Sequence, residues 1–166
     1  MGTRSFIAHI DRRGNGLAIY CGQGSHPRDL GALLLTSYQR ERDVRALMAL
    51  GRVSRVLDTP ELSARYSNII AAGAATKFNC GTEGFFGRFW TPGTEWLYAW
   101  TPDGWFAAPG LRPALGDWYY DEDHPDHNAE MTRLHELATG IQVPVSLHQL
   151  VEEQQPEDGP PPGPAD

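Results

Sequence analysis

Between Arg4 and Ile10 the apolar and polar positions alternate enough, with β-branched and aromatic residues among them, to predict a β-strand whose successive side chains go to opposite faces. R-R-G-N-G at 12–16 supplies the glycine and asparagine that a tight reversal needs, and 17–21 returns as a second strand. The chain therefore opens on a β-hairpin. The period then changes. Pro27 suits the first turn of a helix, Ser25 or His26 its cap, and Leu30, Leu33, Leu34 and Tyr38 recur at helical spacing. A second helix over 43–50 turns Val44, Leu47 and Met48 inward and stops at Gly51, a residue that tolerates the left-handed cap. T-P-E-L at 59–62 reads as the start of another short helix. The Gly- and Ala-rich span 71–93 has no sustained period and predicts loop or irregular structure.

From Thr94 the signal sharpens. Trp96, Tyr98 and Trp100 share one face of a strand, T-P-D-G at 101–104 makes a turn, and W-F-A-A runs back as a second hairpin with an aromatic face. Pro125, capped by Asp123 or His124, begins a helix with Met131, Leu134, Leu137 and Ala138 toward the core and Gly140 at its end. Ser146 and Gln149 form a capping-box pattern, with Val145 and Leu150 placed as a hydrophobic staple, for a short helix through Glu153. The tail P-E-D-G-P-P-P-G-P-A-D buries no apolar surface and is expected to be disordered or polyproline-like. These elements predict one compact α+β domain over 1–155, with two β-hairpins and three to four helices, followed by a disordered Pro/Gly/acidic tail at 156–166.

Composition narrows the class. In 166 residues, 40% apolar content and five tryptophans suit one buried core and argue against disorder in the body of the chain. No run approaches the eighteen apolar residues of a membrane span, and the start lacks the apolar core of a secretory signal, so a soluble, cytoplasmic protein is expected. Two cysteines, Cys21 and Cys80, are too few for a disulfide framework or a structural zinc site. The net charge of −7 is unevenly spread: residues 1–116 carry 13 basic and 9 acidic side chains, whereas 117–166 carry one basic residue, Arg133, and 12 acidic ones. Such polarity serves solubility, attraction within the fold, or a partner-binding face.

Three stretches carry candidate chemistry. In Y-C-G-Q-G-S-H-P at 20–27, backbone N–H groups around Gly22, Gly24 and Ser25, ahead of a helix start, suit an anion such as a phosphate or carboxylate. The spacing matches neither the P-loop nor the dinucleotide fingerprint. Cys21 and His26 in the same loop are the candidate catalytic pair, because an imidazole beside a thiol at a helix N-terminus favours the thiolate nucleophile. A strand-to-helix turn whose glycines relieve backbone strain explains the same residues. In D-E-D-H-P-D-H-N at 121–128, His124, Asp126 and His127 have metal-binding side chains, and a solvated acidic helix start is the competing explanation. The aromatic cluster, with Trp96, Tyr98, Trp100 and Trp105 at its centre, suits core packing or, where exposed, a protein interface. Only Arg88 and Arg112 are interleaved with these rings, and the segment after them is acidic, which disfavours a nucleic-acid groove.

M-G-T-R-S-F-I at 1–7, I-Y-C at 19–21, the helix with L-G-x-L-L-L and V-R-A-L-M-A-L-G-R-V-S at 44–54 together resemble a family of small uncharacterised proteins from bacteriophages and bacteria. The resemblance covers about the first third of the chain. In that family the turn after I-Y-C carries a histidine, a tryptophan, an Asp-Gly and an aromatic-proline pair; here G-Q-G-S-H-P stands in its place and keeps chiefly the proline. The resemblance implies a phage or mobile-element accessory protein of α+β fold and brings no activity with it. The expected function is thus a non-enzymatic binding protein acting through a protein partner, without a cofactor, and the alternative is a small hydrolase or transferase using Cys21 and His26 on a phosphorylated or anionic substrate.

Overall fold

The computed structural model describes residues 4–67, 73–89, 94–109 and 144–154. The first two strands form where the alternation places them: β1 (Ser5–Ile10) and β2 (Gly16–Cys21) pair antiparallel from Ser5↔Cys21 to Ile10↔Gly16. Their turn is held by Asp11, whose Oδ1 accepts from the N–H groups of Arg13 (2.8 Å) and Asn15 (2.9 Å). The aromatic hairpin is β4 (Trp96–Thr101) with β5 (Gly104–Pro109), closed by Thr101 Oγ1 accepting from the Asp103 N–H. The two hairpins join through a parallel pairing of β1 with β4, Ser5↔Trp96 to His9↔Trp100. Short strands β3 (Thr76–Phe78) and β6 (Val145–Ser146) close the edges, giving a six-stranded mixed sheet in the order β3-β2-β1-β4-β5-β6.

Alternation divides the core in two. Ile7, Ile19, Cys21, Tyr98, Trp105 and Ala107 point to one face, where they meet Leu30, Leu34, Tyr38, Val44, Leu47 and Leu147 from helices. The first of these helices starts with a π-helical turn, Pro27–Gly31, capped by His26 Nδ1 accepting from the Arg28 N–H, and continues as α1 (Ala32–Ser37). Helix α2 (Glu41–Ala49) buries Val44, Leu47 and Met48 and ends before Gly51 at φ +70°, the left-handed conformation that glycine adopts without strain. Helix α5 (Leu147–Gln154) crosses the π-helical turn at Gly31, where an added Cβ would sit 2.9 Å from Leu147 Cδ1 and 3.1 Å from Val151 Cγ2. Close packing at this crossing therefore depends on the missing side chain.

The opposite face carries Ala8, Ile10, Ala18, Leu97, Ala99 and Ala108, covered by Phe85 and Phe86 of α4 (Gly81–Arg88). Phe78, Phe85 and Phe89 form a ring cluster with centroids 5.0–5.6 Å apart. Two expectations are corrected here. The 71–93 span holds β3 and α4 rather than loop alone, and five α-helices, not three to four, are present among the described residues. The staple and capping box also differ: Gln149 reaches forward to Glu153 (3.2 Å), and Val145 pairs in β6. The expected helix after Pro125 and the 156–166 tail lie outside the described residues. Among the described residues no helix is long and apolar enough to cross a membrane.

Candidate functional site

Residues 21–26 leave the end of β2 and run into the first helix, and their backbone and side chains are tied inward. The Gly22 N–H donates to Val53 O (3.0 Å) while the Val53 N–H donates to Tyr20 O (2.9 Å), which prolongs β2 by a short parallel bridge. Gly24, at φ +68°, turns the chain back, and Ser25 becomes fully buried. The Ser5 hydroxyl donates to Ser25 Oγ at 2.8 Å, and the Tyr98 hydroxyl donates to Ser25 O at 2.7 Å. Burial pushes the Tyr98 phenol well above its ordinary value, and the Asp29 carboxylate acts in the same direction.

The Cys21 thiol is buried and directed at carbonyls, Gln23 O at 3.3 Å and Ser54 O at 4.0 Å. His26 spends Nδ1 on the helix cap and meets Trp96 edge-on, with ring centroids 6.3 Å apart. The two residues of the candidate catalytic pair share the loop but not a hydrogen bond. For an anion, the Gly22 N–H is already committed, and the Arg55 side chain lies over Gly24, its Nε 3.1 Å from where a Cβ would stand.

The aromatic residues divide between core and rim. Tyr98 and Trp105 are buried, the latter donating from Nε1 to Tyr38 O at 2.9 Å. Trp96 and Trp100 are partly buried; Trp100 donates from Nε1 to Gln39 O at 3.2 Å and stacks on His9, with centroids 5.1 Å apart and planes within 8°. His124, Asp126 and His127 lie outside the described residues. Among the described residues, no three His, Cys, Asp or Glu side chains are grouped to hold a metal ion.

A surface that the sequence did not single out adjoins the loop. Helix α3 (Pro60–Ser67) presents serines to the protein and apolar groups to solvent. Ser63 Oγ accepts from the Leu57 N–H (2.8 Å), Ser67 Oγ accepts from the Ser54 N–H (3.0 Å), and both serines are buried. Because residues four apart share a helix face, anchoring through Ser63 and Ser67 turns Leu62 and Tyr66 outward together. They are 44% and 49% exposed, the two large apolar side chains left exposed among the described residues. Beside them runs a groove of about 460 Å³ whose lining includes Arg28, Asp29, Arg55, Val56, Asp58 and Leu62. Gln23 Nε2 reaches Tyr66 Oη at 3.4 Å, so the opening loop and α3 share one surface. The signal for it was the spacing S-x-x-x-S offset by one from L-x-x-x-Y, which becomes readable once the serines have backbone partners. No protein-family model, curated protein or solved structure matches the chain, so the reading of this surface rests on its own geometry.

Proposed function

We propose that the protein is a non-enzymatic binding protein, an accessory factor of phage or mobile-element type that modulates a host process by docking a protein partner on α3 and the adjoining groove. The observation that carries the reading is the inverted helix: α3 buries Ser63 and Ser67 and exposes Leu62 and Tyr66. An exposed apolar pair four residues apart, next to a groove, is how a helix presents anchors to a partner. Tyr concentrates at binding hot spots because it combines apolar area with a hydroxyl. Exposed charges of both signs, Arg55 and Arg65 with Asp58 and Glu61, surround the pair, so the complementary surface offers apolar side chains at its centre and a mixed polar rim. The alternative, a hydrolase or transferase on an anionic substrate, lacks a nucleophile–base pair at Cys21 and His26.

The test is affinity capture from host lysate with the full chain and with Leu62→Asp, both checked for unchanged circular dichroism. Loss of a stoichiometric protein partner in the variant is the expected result; truncating an interface anchor costs about 2 kcal/mol or more, roughly thirtyfold in affinity. A partner retained equally by Leu62→Asp removes the α3 reading. Rapid alkylation of Cys21 in the folded protein would instead revive the enzyme.

A further inference from the structure

The registers of five strands bring five side chains into one row across the face that α1, α2 and α5 cover. Lys77 opposes Leu17, Leu17 opposes His9, His9 lies beside Trp100, and Trp100 opposes Trp105. At His9 the row is roofed by α2, where His9 Nε2 and Glu41 Oε1 are 3.0 Å apart. Arg45 holds the same carboxylate oxygen through Nε (3.2 Å) and Nη2 (3.0 Å). Beyond His9 the row opens into a cleft of about 760 Å³, whose lining includes Leu17, Arg45, Lys77, Phe78 and Asn79. This cleft is at the Gly16 end of β2, whereas the opening loop leaves from the Cys21 end.

We propose that the cleft binds a small organic carboxylate. Its volume is that of a small-molecule site, and its walls mix apolar and hydrogen-bonding groups. Lys77 is exposed and has no ion pair among the described residues, so its ammonium is available to an anion. Arg45 adds guanidinium N–H donors on the same wall, shared with the Glu41 carboxylate, so Lys77 supplies the uncompensated positive charge. The Asp11 carboxylate also lines the cleft and opposes a doubly charged phosphate more than a singly charged carboxylate. Leu17 and Phe78 suit the carbon body of such a ligand, and the Asn79 amide both donates and accepts. His9 is 5% exposed, and with Nε2 bonded to Glu41 its Nδ1 has no partner among the described residues. With Nε2–H donating to the Glu41 carboxylate, Nδ1 of the neutral ring is an acceptor, and an unpaired buried acceptor on a cleft wall is a place for a ligand's hydroxyl.

The proposal is independent of docking at α3 and is tested without a partner. The ¹⁵N-labelled full chain is titrated with benzoate, 4-hydroxybenzoate and hexanoate, with benzamide as the neutral isostere and with inorganic phosphate. Saturable shifts at the amides of Leu17, Lys77 and Asn79 are expected with at least one carboxylate. Benzamide should bind at least tenfold more weakly than benzoate, because a charge-assisted hydrogen bond is lost. Lys77→Gln, an exposed substitution, should weaken carboxylate binding at least tenfold, whereas Leu62→Asp should leave it unchanged. No saturable shift with any of the three carboxylates at about 10 mM overturns the proposal. So does benzamide binding as well as benzoate, phosphate binding as well as the carboxylates, or indifference to Lys77→Gln.

Discussion

Tyr98 ties together segments that are far apart in the chain: it sits in β4, its ring is buried against the helix-covered core, and its hydroxyl donates to the carbonyl of Ser25. Phenylalanine at this position keeps the ring but leaves a buried carbonyl unpaired, which costs about 1–3 kcal/mol. Tyr98→Phe is therefore expected to lower the urea midpoint at neutral pH. The pH dependence has a definite sign. A phenol raised by burial contributes stability fully below its unfolded value of about 10, and that contribution is lost as pH rises through the folded value. Urea titrations from pH 7 to 11 should show a shallower alkaline decline in the variant, and an unchanged decline would rule out Tyr98 as its source. Tyr38 is raised by the same cause, burial, and adds to the same limb. At the opposite end of the scale, Glu41 is held below the usual carboxylate range, first by its hydrogen bond with His9 and then by Arg45. Its contribution is present above the unfolded value and lost as pH falls through the folded one, so Glu41→Gln should flatten the acid limb of stability. An acid limb identical to that of the unaltered protein would show that the His9–Glu41 contact is not formed in solution.

Among the elements, α5 is the one whose removal should be felt across the molecule. Leu147 is fully buried, and α5 packs on the π-helical turn at Gly31 and beside β5. Leu147→Ala removes buried methyl groups at this crossing and should cost about 2–5 kcal/mol by urea titration; a loss under about 1 kcal/mol would mean that the helix is not docked there. Several elements were readable beforehand: both hairpins, the helix from Pro27, whose cap is His26 rather than Ser25, and α2 with its stop at Gly51 follow from strand-like patterning, helical spacing and turn chemistry. Helix α4 was hidden because Gly81, Gly84 and Gly87 depress helical propensity, and it is held in place by Phe85, Phe86 and Phe89 packing on the sheet. Strand β3 is three residues long, with Thr76 and Lys77 exposed, and is defined by its pairing with β2 rather than by its own pattern. The candidate surfaces were less legible still. T-P-E-L at 59–62 marked a helix start but not which face is buried, which is set by Ser63 and Ser67, and His9 and Lys77 come to flank Leu17 only through the β3-β2-β1 registers. The aromatic face of β4 was read correctly as a face, yet most of its rings serve packing and hydrogen bonding.

For the whole molecule, the parallel seam between β1 and β4 decides how the halves hold together. Strand β1 has β2 on one side and β4 on the other, so the strand nearest the start of the chain is an interior strand of the sheet. The α3 groove adjoins the loop that leaves the Cys21 end of β2, and the cleft by Lys77 lies at its Gly16 end, so the two proposed surfaces do not overlap. Synthesis on the ribosome meets the seam from one direction. Strand β1 is complete at Ile10, while β4 begins at Trp96, so at about 5–20 residues per second β1 waits roughly 4–17 s with an open edge. During that interval the backbone groups of 5–9 that later face β4 are unpaired, and Ile7 and Ile10 have neither of their covering layers in full. A newly made chain is thus most vulnerable to joining another copy before its own fourth strand emerges, and pausing of translation ahead of Trp96 would lengthen that exposure in direct proportion.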